Sequence, residues 1–260
     1  MRQFYLETDP DHLPCPGDMV HLDRDESHHL FTVLRGGRDP ELELVDGMGH
    51  RLTGRDRGRD GKLARVEILT VETDGEESRE PRLVMACAVV KGRRFEWALE
   101  KAVELGAHEF LPLETELGVV DPGPGKQGRW RTIMIAALKQ SGRSWLPDLS
   151  RPMSVREVLG LRPSDPVLFG ATSGDVSDSP VPVTNQAGLL DETTGNPPRS
   201  LTMLIGPEGG WSAAERSLMI ETGARAVSLG PHVLRTETAA VTGLTVLQTL
   251  REKWSTGGQG

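Results

Sequence analysis

Hydrophobic positions change rhythm near residue 72. Before it, apolar residues alternate with polar ones over short stretches, as in Leu42-Glu43-Leu44-Val45 and Ala64-Arg65-Val66-Glu67-Ile68. A period of two marks half-buried strands, and Asp46-Gly47 and Asp60-Gly61 supply turns between them. A single short helix is predicted here, over residues 27–34. Residues 73–81 are polar and aperiodic and read as a linker. From residue 82 the pattern alternates strand and helix. Residues 83–90 are an unbroken apolar run, as in a strand buried on both faces. Residues 93–105 place Phe95, Leu99, Ala102 and Val103 at helical spacing, and Gly106 follows as a stop. Strands are predicted at 110–113, 166–170, 201–205 and 226–229, and helices at 129–141 and 236–254. Ser212-x-x-Glu215 is a capping box that opens a further helix to about Thr222. This alternation predicts an α/β domain with a largely parallel sheet over 82–260, after a small β-rich unit over 1–72. Residues 173–200, rich in Ser, Asp, Pro, Thr and Gly, read as a long exposed connection.

Composition narrows the class. The chain has 260 residues and a formal net charge of −8, which argues against a blanket polycation but leaves room for a local basic patch. Two distant cysteines, Cys15 and Cys87, offer neither a disulfide framework nor metal-ligand spacing. There is no apolar signal segment and no run long enough to span a membrane. The expectation is a soluble cytoplasmic protein with no membrane and no metal partner.

Two apolar strands each run into a glycine-proline turn and then a helix: Leu204-Ile205-Gly206-Pro207-Glu208-Gly209-Gly210-Trp211, and Leu229-Gly230-Pro231-His232-Val233-Leu234-Arg235-Thr236-Glu237-Thr238-Ala239. Glycines allow backbone to approach a ligand closely. Such turns either only reverse the chain or build a backbone-lined pocket in which Leu229 and Leu234 sandwich a planar group such as adenine. Neither a P-loop nor a dinucleotide fingerprint is present. Thr236 is predicted to cap the last helix, with Glu237 favourably placed in its first turn.

Basic residues cluster in Lys91-Gly92-Arg93-Arg94 and in residues 122–147, where Lys126, Arg129, Arg131, Lys139 and Arg143 face no acid. Each is either a solvated face or part of an RNA-phosphate track, which Arg51, Arg55, Arg57, Arg59, Lys62 and Arg65 would extend. His28-His29 lacks a third metal ligand and suits helix packing or an RNA contact.

Taken together, His28-His29-Leu30-x-x-Val33-Leu34-Arg35, Lys91-Gly92-x-Arg94-x-Glu96-Trp97, Lys139-Gln140-Ser141-Gly142-Arg143 and the two C-terminal loops resemble the ribosomal RNA small-subunit methyltransferase E family of the SPOUT superfamily. The resemblance implies a trefoil-knotted α/β methyltransferase domain preceded by a PUA-like β-barrel. It also implies a homodimer, S-adenosyl-L-methionine as cofactor, and methylation of N3 of one uridine in 16S rRNA of the small ribosomal subunit. Carried onto this chain, the cofactor residues are Ala171, Thr172, Leu204, Ile205, Gly206, Pro207, Glu208, Gly209, Gly210, Leu229, Gly230, Pro231, Leu234, Arg235, Thr236, Thr238 and Ala239. The RNA-binding residues are His28, His29, Arg35, Lys91, Arg93, Arg94, Lys139, Gln140 and Arg143. Catalysis falls to Arg235, as stabiliser of a uracil anion, and Glu237, as base or only as helix cap. Two features depart from the family pattern: Thr115-Glu116-Leu117 replaces an expected Ser-Glu-Arg, and Ala171-Thr172-Ser173 stands where an acid is expected. A 2′-O-methylating SPOUT enzyme would carry an Asn-x-Gly-x-x-x-Arg segment, which is absent. A non-catalytic RNA-binding assembly factor is the rival from another class.

Overall fold

The alternating N-terminal segments pair into a five-stranded sheet. Its strands β1 (Gln3–Tyr5), β2 (Met19–His21), β3 (Glu41–Val45), β4 (His50–Asp60) and β5 (Leu63–Thr73) lie in the order β1-β3-β4-β5-β2. Only β1 and β3 run parallel; the other pairs are antiparallel. Phe4, Leu22, Leu30, Leu44, Leu52, Val66 and Ile68 form its core. Helix α1 (Arg24–Val33) begins before the predicted start, because the Asp23 carboxylate accepts the Glu26 N–H at 2.8 Å and caps a polar first turn. This computed structural model describes residues 3–9, 11–33, 41–75, 80–120, 123, 125–171, 183–191 and 196–257.

The chain divides into two units, Met1–Ser78 with Met134–Leu146, and Arg79–Ile133 with Pro147–Gly260. The sequence pattern does not anticipate the return of 134–146 to the first unit. Among the links that anchor it there, Arg51 donates to the Gly142 carbonyl at 2.5 Å, the Ser144 hydroxyl to Asp74 at 2.7 Å, and the Trp145 indole to the Asp74 carbonyl at 3.0 Å. Gly49 admits Trp145: a Cβ there would lie 2.3 Å from the indole.

The second unit comprises β6 (Arg82–Ala88), α2 (Arg93–Glu104), β7 (Glu109–Glu114), the start of α3 (Lys126–Ser141), β8 (Asp148–Leu149), β9 (Met153–Ser154) and α4 (Val155–Leu161). It continues through β10 (Val167–Gly170), α5 (Gln186–Asp191), β11 (Ser200–Ile205), α6 (Ala213–Glu221), β12 (Arg225–Val227) and α7 (Thr236–Gly257). The sheet order is β12-β10-β11-β6-β7-β8, with β9 also on β7, and every pair is parallel. Leu83, Val84, Met85, Ala86, Cys87 and Ala88 of β6 are buried on both faces, as the apolar run predicts. One face of the sheet, including Leu204 and Phe169, packs with Val155 and Val158 of α4 and Met219 of α6. Helix α7 packs on α2, β6 and β11. Gly243 of α7 permits that approach, since a Cβ would lie 2.8 Å from Met203. Because β12 lies beyond β10, the chain leaving β11 crosses the sheet to reach β12 and recrosses to place α7. Two helices lie where no helix was predicted, α4 and α5. The first opens with its own capping box, Ser154 and Glu157.

Candidate active site

Strands β10, β11 and β12 end at one edge of the sheet, and the loops that follow enclose a cavity of about 610 Å³. The carboxyl edge of a parallel sheet is where such folds seat ligands. In the 206–210 loop, Gly210 takes φ 72° and its N–H donates to the Pro207 carbonyl at 2.9 Å. Trp211 is buried beneath it, its indole N–H donating to the Gly170 carbonyl at 2.9 Å. That ring explains Gly206: a Cβ there would sit 3.0 Å from it. Gly170 is similarly confined: a Cβ there would lie 3.1 Å from Leu229 Cδ1.

The two glycine-proline loops are stitched together. The Thr236 hydroxyl, predicted to cap α7, instead donates to the Gly206 carbonyl at 3.1 Å. Thr236 is buried, so it loses water and needs that partner. The Ser228 hydroxyl donates to the Gly230 carbonyl at 3.2 Å, and Gln186 to the Leu229 carbonyl at 3.4 Å. Behind the first loop the capping box of α6 is present, and the second Glu215 oxygen accepts the Glu116 N–H at 3.0 Å.

Of the residues assigned to a cofactor, Ala171, residues 205–210, 229–231 and 234–236, and Ala239 line the cavity. Leu204 does not: strand alternation turns it away from Ile205 into the core with Phe169 and Ala226. Thr238 is exposed on α7 and lies outside the lining. Thr172 lies outside the described residues. Gly170, beside Ala171 in the segment the resemblance points to, also lines the cavity, as do Val183, Trp211, Ser228, His232 and Val233, which were not assigned to the cofactor. Contiguity with the two motifs pointed to Trp211, Ser228, His232 and Val233, while Val183 sits in the aperiodic connection.

Arg235 lines the cavity, with no salt bridge among the described residues. Glu237 does not line it. Its Oε2 is closed off from solvent and has no hydrogen-bond partner among the described residues. Its carboxylate lies near the end of β6: burial first, then Glu237 and Glu208, push the Cys87 thiol up to about 12. Glu208 is ion-paired with Arg94 at the start of α2.

The basic set divides. Lys91 and Arg93 are exposed, as are His28, His29 and Gln140; Arg143 is half-buried. Arg35 lies outside the described residues. Lys139 is not a free cation, because it pairs with the buried Glu26. Arg129 grips Glu96 with two hydrogen bonds, of 2.6 and 2.9 Å, and holds its carboxyl below the usual range. On β4, Arg51, Arg55 and Arg57 pair with Glu43, Glu41 and Glu67 of adjacent strands. Much of the apparent track is therefore cross-strand ion pairing. No group of metal-binding side chains occurs, and no helix is long and apolar enough to cross a membrane, among the described residues.

A model of the RNA methyltransferase domain matches residues 77–248. The ribosomal RNA small subunit methyltransferase E of Mycobacterium tuberculosis is 33% identical, over 96% of this chain and 92% of that protein. The chain belongs to the ribosomal RNA small subunit methyltransferase E family. The Synechocystis member is 34% identical, over 90% of this chain and 74% of its own length. The crystal structure of the Neisseria gonorrhoeae member bound to S-adenosyl methionine superposes with a TM-score of 0.80 at 29% identity, covering 96% of this chain and 98% of that one. A Legionella pneumophila methyltransferase in complex with the same cofactor gives 0.78 at 28%, covering 95% and 96%. The parallel α/β unit is of the SPOUT type and follows a small β unit.

Proposed function

We propose that this chain methylates N3 of a uridine in 16S rRNA of the small ribosomal subunit, with S-adenosylmethionine as donor, as a cytoplasmic homodimer. The carrying observation is the backbone-walled cavity. Its volume of about 610 Å³ lies within the range of small-molecule and cofactor sites. At two wall positions, Gly206 in a loop and Gly170 at the end of β10, a Cβ would displace the packing. Leu229 and Leu234 supply apolar surface for a purine, and loop carbonyls and N–H groups supply edge contacts. Family membership and the cofactor named for the Neisseria and Legionella structures support the same reading. Dimerisation and location follow the family resemblance.

Bound there, the cofactor supplies an electrophilic sulfonium methyl group. The chain supplies positioning and proton handling. N3 lies on the Watson–Crick edge, so the uridine must be unpaired or flipped to present it. Its proton must leave before or during attack. Glu237, in the first turn of α7 behind the cavity wall, is the base assigned to that proton: its Oε2 has no hydrogen-bond partner among the described residues, and the role requires the side chain to turn into the cavity. Arg235, always protonated and at the cavity wall, stabilises the negative charge that develops on O2 or O4.

The test is methyl transfer from labelled donor to small subunits lacking the modification, followed by nucleoside analysis. 3-Methyluridine is expected. A different methylated nucleoside removes the uridine-N3 assignment, and cofactor binding without product on competent subunits favours an assembly factor. Glu237→Gln is expected to lower kcat by about 10²–10⁴-fold; normal turnover removes the base role.

A further inference from the structure

A second, smaller cavity of about 170 Å³ lies where β6 ends and α2 begins. Residues 89 and 90 belong to the apolar run but lie beyond β6, which stops at Ala88. Val90, Phe95 and Trp130 are almost wholly buried yet line this cavity, so its floor is apolar. Phe95 and Trp130 pack ring to ring at 4.7 Å. Lys91, Lys126 and the Glu96 carboxylate stand at its wall. Both lysines are exposed, and neither makes a salt bridge among the described residues. That sets them apart from Arg94, Arg129 and Lys139, each held by an acid.

We propose that this cavity is a subsite for one nucleotide flanking the methylated uridine, with its base on the apolar floor and its phosphate on Lys91 and Lys126. The inference rests on the RNA-methylating reading above. A cavity of this volume displaces about five or six waters, enough for a single base ring and too little for a nucleoside cofactor. Apolar floors under cationic rims suit single-stranded RNA, whose bases pack on side chains while lysines track the backbone. Glu96 offers a fixed acceptor for a base N–H, because Arg129 keeps it ionised. The subsite is not the methylation pocket: β6 neighbours β11 in the sheet, and the Arg94–Glu208 pair stands between the two cavities' loops. A nucleotide held here would fix the register of its neighbour at the cofactor cavity.

The experiment compares wild type with Lys91→Ala/Lys126→Ala and with Val120→Trp, a half-buried wall position where the larger ring fills the cavity. Three quantities are read: cofactor affinity by calorimetry, the Kd for small ribosomal subunits by sedimentation, and methyl-transfer kinetics. The double variant is expected to weaken subunit binding at least tenfold, to reduce the salt slope of log Kd by about one per lysine, and to leave cofactor affinity unchanged. Val120→Trp is expected to weaken subunit binding without changing the slope. Wild-type Kd and slope in both variants overturn the subsite. Failure of wild type itself to bind cofactor or methylate subunits instead overturns the RNA-methylating reading, and the sedimentation Kd still decides the subsite.

Discussion

Gly206→Ala isolates the contact that shapes the cofactor cavity. The added methyl would lie 3.0 Å from Trp211 Cε2 and 3.2 Å from Cδ2. Carbon pairs settle at about 3.5–4.0 Å, so the indole must retreat by roughly 0.5 Å. It has little room, because Trp211 is 2% exposed and its N–H is fixed to the Gly170 carbonyl at 2.9 Å. A shift of that size takes the bond past the normal range of about 2.7–3.2 Å. Its loss costs about 1 kcal/mol, and overpacking a filled site adds about 1–3 kcal/mol. Both occur at the cavity wall. The expected result is a cofactor Kd raised by about ten- to a hundredfold, since each 1.4 kcal/mol is tenfold, with a Tm lower by about 5–10 °C. Calorimetry and a thermal melt read the two quantities. Trp211→Phe removes the indole N–H that fixes the ring to the Gly170 carbonyl, together with outer ring atoms such as Cζ2, so a smaller ring is free to give way to the methyl. In the double variant the alanine should therefore cost less than in wild type, by about 1 kcal/mol or more. A Gly206→Ala protein with wild-type Kd and Tm, or a strictly additive cycle, refutes the reasoning.

Thr236→Val removes the stitch to the Gly206 carbonyl while keeping the side chain's shape, and is expected to weaken cofactor binding about tenfold in calorimetry, because the two loops lose the hydrogen bond that joins them. Burial, with Arg251 and Arg82 adding to it, lowers His108 to about 4; an unfolded imidazole titrates near 6.5. The unfolded chain therefore takes up the extra proton between these values, so this contribution is intact above about pH 6.5 and lost as pH falls toward 4, by up to about 3 kcal/mol. Urea melts at pH 7.5 and 5 should show a smaller acid loss in His108→Gln, whose amide oxygen replaces the acceptor of the Leu83 N–H. Native protein treated with an alkylating agent at pH 8 should gain one adduct by mass spectrometry, on exposed Cys15, and a second only in denaturant, because Cys87 is buried and held protonated.

The features legible in the sequence are those fixed by local chemistry. The capping box at Ser212 and Glu215, the doubly buried β6 and the two glycine-proline turns each need few neighbours to be read. Family motifs carried the cofactor assignment further than spacing could. The errors arose where tertiary structure reassigns a side chain. Thr236 has the look of a helix cap, but burial gives its hydroxyl a carbonyl thirty residues away. Leu204 follows Ile205's apolar character yet faces the opposite side of the sheet. Lys139 lies in an acid-free stretch, and its acid, Glu26, comes from 113 residues upstream. Charge counted along the chain misses partners brought together by folding.

The division of α3 has a consequence for how this architecture can be cut or recombined. Because Met134–Leu146 belongs with Met1–Ser78, the chain passes between the units three times. Residues 1–78 expressed alone would lack Trp145 and leave Gly49's recess and the Asp74 carbonyl unfilled. A fragment beginning at residue 79 would carry Met134, Ala137 and Leu138 without their unit. Neither unit is a removable module. An end-to-end graft of a different N-terminal unit onto this methyltransferase body would therefore have to carry its own version of the 134–146 segment, so the two parts are expected to change together in evolution rather than shuffle.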